Sequence, residues 1–290
     1  MAKLNKGNYS ANADGEQERL ELQAEYLRDF DLKVFTQALD RFSIYPSFGL
    51  DLGCSRGYAT FNRFSEFSSF KRVSGIDIDS ISLDYAAKRA ENEQISYRFR
   101  QASLEGEAFA EVLAEELSSI TEPVFVWSAF VFHFFSDPVS VLKVIREGLP
   151  KGSVIAIRTI DDSTPIVHPN PNRLLERVAL RDYSSPHDLS RRIHARKLTE
   201  QLQAAGFENV EMVSETILSS GMDAQEKEEM RLIWFSFYRQ VALRMAEEFE
   251  NSQRETFLRD YDQIVEEQKA IFQRDDFFMF ANLFAGIASV

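Results

Sequence analysis

Residues 48–58 read FGLDLGCSRGY, and residues 73–79 read VSGIDID. Each segment contains a short apolar run that predicts a buried strand, followed by glycine or acidic residues. In the first segment, the residues from Gly53 to Gly57 predict a turn from the strand into a helix. Glycine has no Cβ atom, so a ligand can approach the main chain closely at such a turn. The free N–H groups at the start of the helix also favour the negatively charged end of a ligand.

An acidic residue follows the glycine turn at a distance typical of nucleoside-binding sheets. Asp77 stands 26 residues after Asp51, at the predicted tip of the second strand. A carboxylate at this tip can accept hydrogen bonds from ribose hydroxyl groups. A dinucleotide fingerprint needs G-x-G-x-x-G, whereas Ser55 replaces the middle glycine and Tyr58 stands where the third is expected. The spacing therefore favours a nucleoside ligand and disfavours NAD.

Strands and helices alternate along the segment that follows. Predicted strands cover residues 48–52, 73–78, 95–99, 123–127 and 153–158, and predicted helices cover 58–70, 82–92, 105–117 and 138–149. This alternation predicts an α/β fold with a Rossmann-like, mostly parallel sheet and helices on both faces. Further strands predicted at 210–218 and 277–288 bring the sheet to seven strands.

The rest of the chain predicts helical additions to this core. Residues 1–40 predict an N-terminal helical lid, with a helix over 17–39, and residues 41–218 predict the Rossmann-like core. Within the core, 161–190 contain four of the eight prolines and predict an irregular, lid-like insertion. Residues 219–275 predict a helical insertion of two helices, and 276–290 predict the last strand of the core. The apolar side of the insertion suits either a cover over a pocket or a homodimer interface.

Composition and charge exclude several classes of protein. The net charge is −13, from 33 basic and 46 acidic residues, and such a surface repels nucleic acid and anionic lipid. Cys54 is the only cysteine, which predicts a reduced, cytoplasmic setting. No secretory signal and no run of ~20 apolar residues is present, so no membrane span is expected. No cluster of metal-ligand type is found either.

The first segment resembles the first motif of the class I S-adenosylmethionine-dependent methyltransferases, D-x-G-x-G-x-G. Asp51, Gly53 and Gly57 fit this motif, and Ser55 departs from its middle glycine. Further segments that resemble motifs of the family, in order, are 75–79, 100–103, 126–129, 149–152 and 202–207. The resemblance covers about residues 48–218, and it implies S-adenosyl-L-methionine as the cofactor and methyl transfer as the reaction.

The resemblance also implies a set of cofactor-binding residues. These are Tyr9, Arg19, Gln23, Asp51, Gly53, Cys54, Gly57, Asp77, Ile78, Ala102, Ser103 and Ser128. In the family, the residue matching Asp77 holds the ribose, the one matching Ile78 packs on adenine, and 126–129 lie beside the methionine moiety. The stretch 16–24 is similar to a helix that closes over the cofactor, where Arg19 would meet the cofactor carboxylate. A solvated helix face would explain the same polar residues.

Two residues are candidates for catalysis. His133 follows the fourth strand, where a neutral imidazole could accept a proton from the substrate. A packed histidine at the start of a helix would look the same in the sequence. Asp161, next to Asp162 after the fifth strand, could orient an amine or deprotonate a hydroxyl group, or it could cap the next segment.

The sequence thus predicts a methyltransferase that acts on N, O or S of a small molecule. The alternatives are a protein methyltransferase, which would need an open groove, and a catalytically silent cofactor-binding partner protein. An NAD-dependent oxidoreductase is disfavoured by the spacing around Ser55.

Overall fold

A computed structural model of the protein describes residues 15–91, 93–180 and 193–290. The strands are β1 Phe48–Leu52, β2 Arg72–Asp77, β3 Ser96–Gln101, β4 Phe125–Ala129, β5 Val154–Thr159, β6 Ile166–His168, β7 Glu208–Leu218 and β8 Phe278–Ser289. The helices are α1 Glu16–Tyr26, α2 Arg28–Phe42, α3 Tyr58–Phe64, α4 Ser80–Ala90, α5 Ala108–Leu117, α6 Pro138–Gly148, α7 Leu174–Val178, α8 Ala195–Ala204, α9 Ala224–Phe235, α10 Tyr238–Ala246 and α11 Asn251–Phe272. Among the described residues, no helix has both the length and the apolar character to cross a membrane.

The main sheet has the strand order β3-β2-β1-β4-β5-β8. Strands β1 to β5 run parallel to their neighbours, and β8 runs antiparallel to β5. The order reverses on either side of β1, so the carboxyl ends of β1 and β4 form the switch point where such sheets bind ligands. The predicted α/β fold with a Rossmann-like, mostly parallel sheet is therefore confirmed.

Helices cover both faces of this sheet. On one face, α5, α6 and α8 pack into a core cluster with apolar side chains of the strands, among them Leu50, Val126 and Ile155. On the other face, Phe35 of α2 contacts Phe125 and Trp127 of β4. Successive strand residues point to opposite faces, so β4 supplies Val126 to one layer and its two neighbours to the other.

Contacts divide the chain into two compact units. Of the described residues, the sheet unit contains those within Ala24–Ser163, Ser190–Glu215 and Leu283–Val290. The helical unit contains those within Met1–Gln23, Thr164–Leu189 and Thr216–Asn282. In the helical unit, α7, α9, α10 and α11 share an apolar cluster that includes Phe235 and Phe272. The domain boundaries drawn from the sequence stay a prediction.

The structure differs from the sequence prediction at several elements. The helix predicted over 17–39 is interrupted at Leu27, which has φ −93° and ψ 6°. The helix predicted over 58–70 ends at Phe64, where the Ser65 hydroxyl donates to the carbonyl of Phe61 and competes with the next turn. The helical insertion has three described helices rather than two.

A further difference is an eighth strand, β6, inside the segment predicted to be irregular. It pairs with residues 278–280 of β8, and its three residues are too few to show an alternating pattern in the sequence.

Candidate functional site

The glycine turn joins β1 to α3 with three residues in the left-handed region. Gly53 has φ +78°, Ser55 has φ +47° and Gly57 has φ +75°. A Cβ atom on Gly53 would overlap Cγ2 of Val131, and one on Gly57 would lie 2.6 Å from Cε2 of Phe61. Both glycines are therefore required by the backbone conformation and by the packing of these side chains, in addition to any approach of a ligand.

Asp77 at the tip of β2 is tied directly to this turn. Its Oδ2 accepts a 2.8 Å hydrogen bond from the N–H of Ser55, and its Oδ1 accepts a 2.9 Å bond from the N–H of Asp79. The side chain is half-buried, and burial raises the pKa of the carboxyl while these two N–H groups counteract the rise. An ionised carboxylate has about four lone-pair sites, so Asp77 keeps acceptor capacity for ribose hydroxyl groups.

Asp51 lies in β1, before the glycine turn, and is more deeply buried than Asp77. Its Oδ2 accepts a 2.6 Å hydrogen bond from the hydroxyl of Thr60 on α3. Burial raises the pKa of Asp51 to about 7, although the bond from Thr60 acts in the opposite direction. Only 3% of Asp51 is exposed, so its side chain fixes α3 from inside the sheet unit, and its predicted part in cofactor binding stays a prediction.

The residues predicted to surround adenine differ in exposure. Ile78 is 61% exposed at the tip of β2, and Gln101 donates from Nε2 to the Ile78 carbonyl at 3.0 Å. Ala102 is buried and donates from its N–H to the Asp77 carbonyl at 2.9 Å, whereas Ser103 is half-buried. An exposed apolar side chain next to the ribose-binding candidate is a suitable platform for an aromatic base.

The side chain of Cys54 is buried at the glycine turn, and the predicted part of Cys54 in cofactor binding stays a prediction. Its Sγ is buried, and a Cβ atom on Gly75 would lie 2.7 Å from it. Burial also raises the pKa of the thiol, which keeps it protonated and unreactive.

Two predicted residues lie near the end of β4. Ser128 is within the strand, and His133 follows it. The Ser128 hydroxyl is fully buried and donates to the carbonyl of Leu52 at 2.8 Å, so it joins the ends of β4 and β1. His133 lies in a short 3-10 helix, Phe132–Phe134, and its ring centroid is 4.0 Å from that of Phe134. Their roles in cofactor binding and catalysis stay predictions.

Asp161 accepts hydrogen bonds from a nearby residue and from α8. Its Oδ2 accepts a 2.6 Å bond from Nε of Arg196, and its Oδ1 accepts bonds from both the N–H and the hydroxyl of Ser163. Burial raises its pKa, but these donors outweigh burial and hold the pKa below its ordinary value. Such a carboxylate is a weak base, and its predicted catalytic role stays a prediction.

Arg19 and Gln23, two of the predicted cofactor-binding residues near the N-terminus, are in the helical unit. Arg19 lies in the helical unit, where Glu16 Oε1 accepts from its Nε at 2.9 Å and the Ile233 carbonyl accepts from its Nη1 at 3.2 Å. Gln23 follows on the same helix, and Tyr9 lies outside the described residues. Their contact with the cofactor stays a prediction.

Sequence analysis missed a buried charge cluster in the sheet unit. Asp31 of α2 pairs with Arg63 of α3 at 2.9 Å and with Arg158 of β5 at 3.0 Å, and at most 3% of each side chain is exposed. The arginine inside the apolar run VIAIRT of β5 was the signal that could have revealed it, because an unpaired charge is costly in a buried strand.

His194 was missed as well. Its Nδ1 lies 2.7 Å from the hydroxyl of Thr159 at the end of β5, and burial lowers its pKa to about 4. The ring is therefore neutral at physiological pH, and it anchors the start of α8 to the end of β5.

Taken together, the ends of β1 and β2 present the glycine turn, a carboxylate and an exposed apolar side chain within one unit. These groups suit a nucleoside, with the carboxylate on its sugar and the apolar side chain on its base. The N–H groups of Gly53, Cys54, Ser55 and Gly57 donate within the chain, so the sequence-based expectation of free N–H groups at this turn is not met there. Among the described residues, no group of histidine, cysteine and acidic side chains could hold a metal ion.

Comparison with known proteins agrees with this geometry. Residues 49–206 match the family described as "Methyltransferase domain", which is more than half of the chain. Comparison with the curated proteins finds no match.

Among solved structures, the chain is similar to the plantazolicin methyltransferases BpumL and BamL, each in a complex that contains SAH. The identity is 14% in both cases, the TM-scores are 0.47 and 0.48, and the matches cover 96% of this chain and 91% and 92% of those chains.

A third similar structure is a putative sarcosine dimethylglycine methyltransferase from Galdieria sulphuraria. Its identity is 14% and its TM-score 0.42, and the match covers 89% of this chain and 85% of that chain. At this level of likeness, none of the three adds an argument about substrate. The assignment follows from the family match over residues 49–206: the chain belongs to the methyltransferase domain family and is an S-adenosylmethionine-dependent methyltransferase of class I.

Proposed function

We propose that the protein transfers the methyl group of S-adenosylmethionine to a nitrogen, oxygen or sulfur atom of a small molecule. The observation that supports the cofactor position is Asp77, held against the glycine turn by the N–H of Ser55 with acceptor capacity left for a ribose. The net charge of −13 disfavours a nucleic-acid substrate, because phosphate would be repelled.

In this proposal the chain binds and orients the cofactor from two strand ends. Asp77 accepts the ribose hydroxyl groups, Ile78 packs on adenine, and Ala102 and Ser103 lie along the adenine edge. The main chain of Gly53 to Gly57 faces the rest of the cofactor. Ser128 contributes by fixing the end of β4 to the carbonyl of Leu52.

When bound, the cofactor supplies a methyl group that its sulfonium already activates. The chain therefore needs no nucleophile, and its task is to hold the acceptor atom in line with the methyl group and to exclude water. An acceptor that carries a proton must lose it, and His133 is the candidate base for that step.

The proposal is tested first by calorimetry with S-adenosylmethionine and with NAD. We expect binding of the first ligand only, and equal affinity for both would contradict the site. The enzyme is then incubated with a cell extract and S-adenosylmethionine labelled on the methyl group, and the products are passed through an ultrafiltration membrane.

The filtrate also contains unused S-adenosylmethionine, so its labelled compounds are separated by chromatography. Label in a filtrate compound other than S-adenosylmethionine would support a small-molecule acceptor. Label retained with the protein fraction would contradict it in favour of a protein methyltransferase. Cofactor binding with all label still in S-adenosylmethionine would favour a catalytically silent partner protein.

A further inference from the structure

The charge cluster of the sheet unit contains two arginines for one directly paired carboxylate. Arg63 and Arg158 share the carboxylate of Asp31, and all three side chains are buried. Burial lowers the pKa of Arg158 to about 10, which still leaves it charged at neutral pH. Asp51 also attracts both guanidinium groups, but its Oδ2 accepts from the hydroxyl of Thr60. Asp31 is therefore the carboxylate that pairs with both arginines directly.

The cluster also has more donors than acceptors. Nε of Arg158, Nη1 of Arg63 and Nε1 of Trp127 are buried and have no hydrogen-bond partner within the described part of the chain. The guanidinium carbon of Arg158 lies 6.0 Å from the ring centroid of Trp127. Buried donors are nearly always paired in folded proteins, by water or by another polar group, so these three leave room for an acceptor that the chain does not supply. An anion is an acceptor whose charge also suits the two guanidinium groups.

One aromatic ring covers the guanidinium group of Arg158. The ring centroid of Phe130 lies 4.3 Å from the guanidinium carbon, which is the geometry of a cation–π contact. Phe130 directly follows β4, and its N–H donates to the Arg158 carbonyl at 2.9 Å. Its φ is +59°, a conformation in which a bulky residue is strained, and its side chain is only half-buried. The cover over Arg158 is thus a strained residue next to solvent.

Phe130 connects the charge cluster to the proposed cofactor site through the residue that follows it. Val131, the next residue, is the one whose side chain fills the space at Gly53 of the glycine turn. Arg158 itself pairs with Ala129 in the register of β4 and β5. Arg158 therefore lies beside the end of β4, and the residues that follow β4 contact the glycine turn of the proposed cofactor site.

We propose that Arg158 binds the carboxylate of the methyl acceptor, which takes the place of the Phe130 ring on the guanidinium group. A planar guanidinium fork matches a carboxylate in shape and charge, and a carboxylate would supply an acceptor for the unpaired Nε. The acceptor class is then a carboxylate-bearing small molecule. This inference rests on the proposed function, since it places a substrate beside the proposed cofactor site.

The test measures binding of phenylacetate and of its neutral analogue phenylacetamide by calorimetry to enzyme saturated with S-adenosylhomocysteine. We expect phenylacetate to bind and phenylacetamide to bind at least about tenfold more weakly, the loss expected for a charged hydrogen bond. Arg158→Gln should weaken phenylacetate binding by a similar factor, and Arg158→Lys by less. Phe130→Ala should strengthen it, because no ring competes for the guanidinium group. Arg98→Gln, on exposed β3, is the matched control and should change nothing.

The outcomes separate this inference from the proposed function. If the unaltered enzyme fails to bind S-adenosylhomocysteine, the proposed function is wrong. If it binds S-adenosylhomocysteine but shows no preference for the carboxylate, or if Arg158→Gln retains the preference, the inference is wrong. Weaker S-adenosylhomocysteine binding in Arg158→Gln would assign the guanidinium group to the cofactor and overturn the inference too. Should Arg158→Gln fail to fold, Arg158→Lys and Phe130→Ala decide the question, and unchanged phenylacetate binding in both overturns it.

Discussion

The carboxylate of Asp77 accepts a 2.8 Å hydrogen bond from the main-chain N–H of Ser55, which joins the tip of β2 to the turn after β1. Ser55 stands where the family motif has its middle glycine, and it has φ +47°. The bond to Asp77 stabilises this left-handed residue, so the departure from the motif is compatible with the turn. One carboxylate therefore shapes the turn and remains available to a ligand.

Replacing Asp77 by Ala should weaken S-adenosylmethionine binding by about 1–3 kcal/mol, the usual cost of losing a charged hydrogen bond. Calorimetry measures the change directly. Asp84→Ala, at an exposed position of α4, is the matched control and should bind as the unaltered protein does. Equal affinity in Asp77→Ala and the control would refute the proposed position of the ribose.

Replacing Gly53 by Ala should lower the free energy of unfolding for two reasons. The residue has φ +78°, and the new Cβ would overlap Val131. Left-handed backbone costs about 1–2 kcal/mol for an alanine, and overpacking adds about 1–3 kcal/mol. Chemical denaturation should show that adding Val131→Ala restores only the packing part. Complete restoration would mean that the backbone conformation carries no cost.

Replacing Asp51 by Asn should change how stability depends on pH. The pKa of Asp51 is raised from its ordinary 3.8 to about 7 in the folded state, so unfolding releases a proton between these values. Its contribution to stability is complete below pH 3.8 and is lost as pH rises through 7. Asparagine has no proton to lose, so the variant should gain on the unaltered protein as pH rises, by on the order of 4 kcal/mol.

Urea denaturation between pH 4 and 8 measures this difference, with Asp84→Asn as the control. If the free energies of unfolding of Asp51→Asn and the unaltered protein differ by the same amount across this range, the raised pKa of Asp51 is contradicted.

Titration of His194 should make the protein less stable as the pH falls, opposite to the effect of Asp51. Burial lowers the pKa of His194 from 6.5 to about 4. Between these pH values His194 is protonated in the unfolded chain and neutral in the folded protein. Its contribution is complete above pH 6.5 and is lost as pH falls through 4, on the order of 3 kcal/mol in total. His194→Asn removes this titration, and the acid-induced loss of stability should be smaller than in the unaltered protein. His168→Asn serves as the control, and identical acid profiles of all three proteins would rule the prediction out.

The fold was predictable because β1, β2, β4 and β5 are short segments of mostly apolar and small residues that alternate with helices. The glycine turn and Asp77 were predictable for a related reason, since strand ends in a parallel sheet meet at one edge and their spacing in the sequence is regular. What local patterns cannot show is the partner of a side chain. The buried ion pair of Asp31 and Arg158 joins residues more than a hundred positions apart, so the arginine within β5 does not reveal which carboxylate it meets.

The hydrogen-bond partners of the predicted site residues were the other limit. Ser128 is predicted to lie beside the cofactor, and its hydroxyl donates to the carbonyl of Leu52 inside the sheet. Asp161 is a predicted catalytic residue, and its oxygens accept from Arg196 and Ser163. Both residues follow the predicted strands, and only the structure shows which neighbours their polar atoms meet.

The pairing of β5 with β8 has a consequence for synthesis of the chain. Residues 154–159 of β5 are all buried, and their outer edge is covered by residues 284–289 of β8, about 125 positions later. At roughly 5–20 residues per second, the ribosome needs about 6–25 s to bridge that gap. During this interval the nascent chain exposes an apolar edge strand, which is a template for aggregation. Production of the protein should therefore benefit from slower induction or from chaperones that bind unfinished chains.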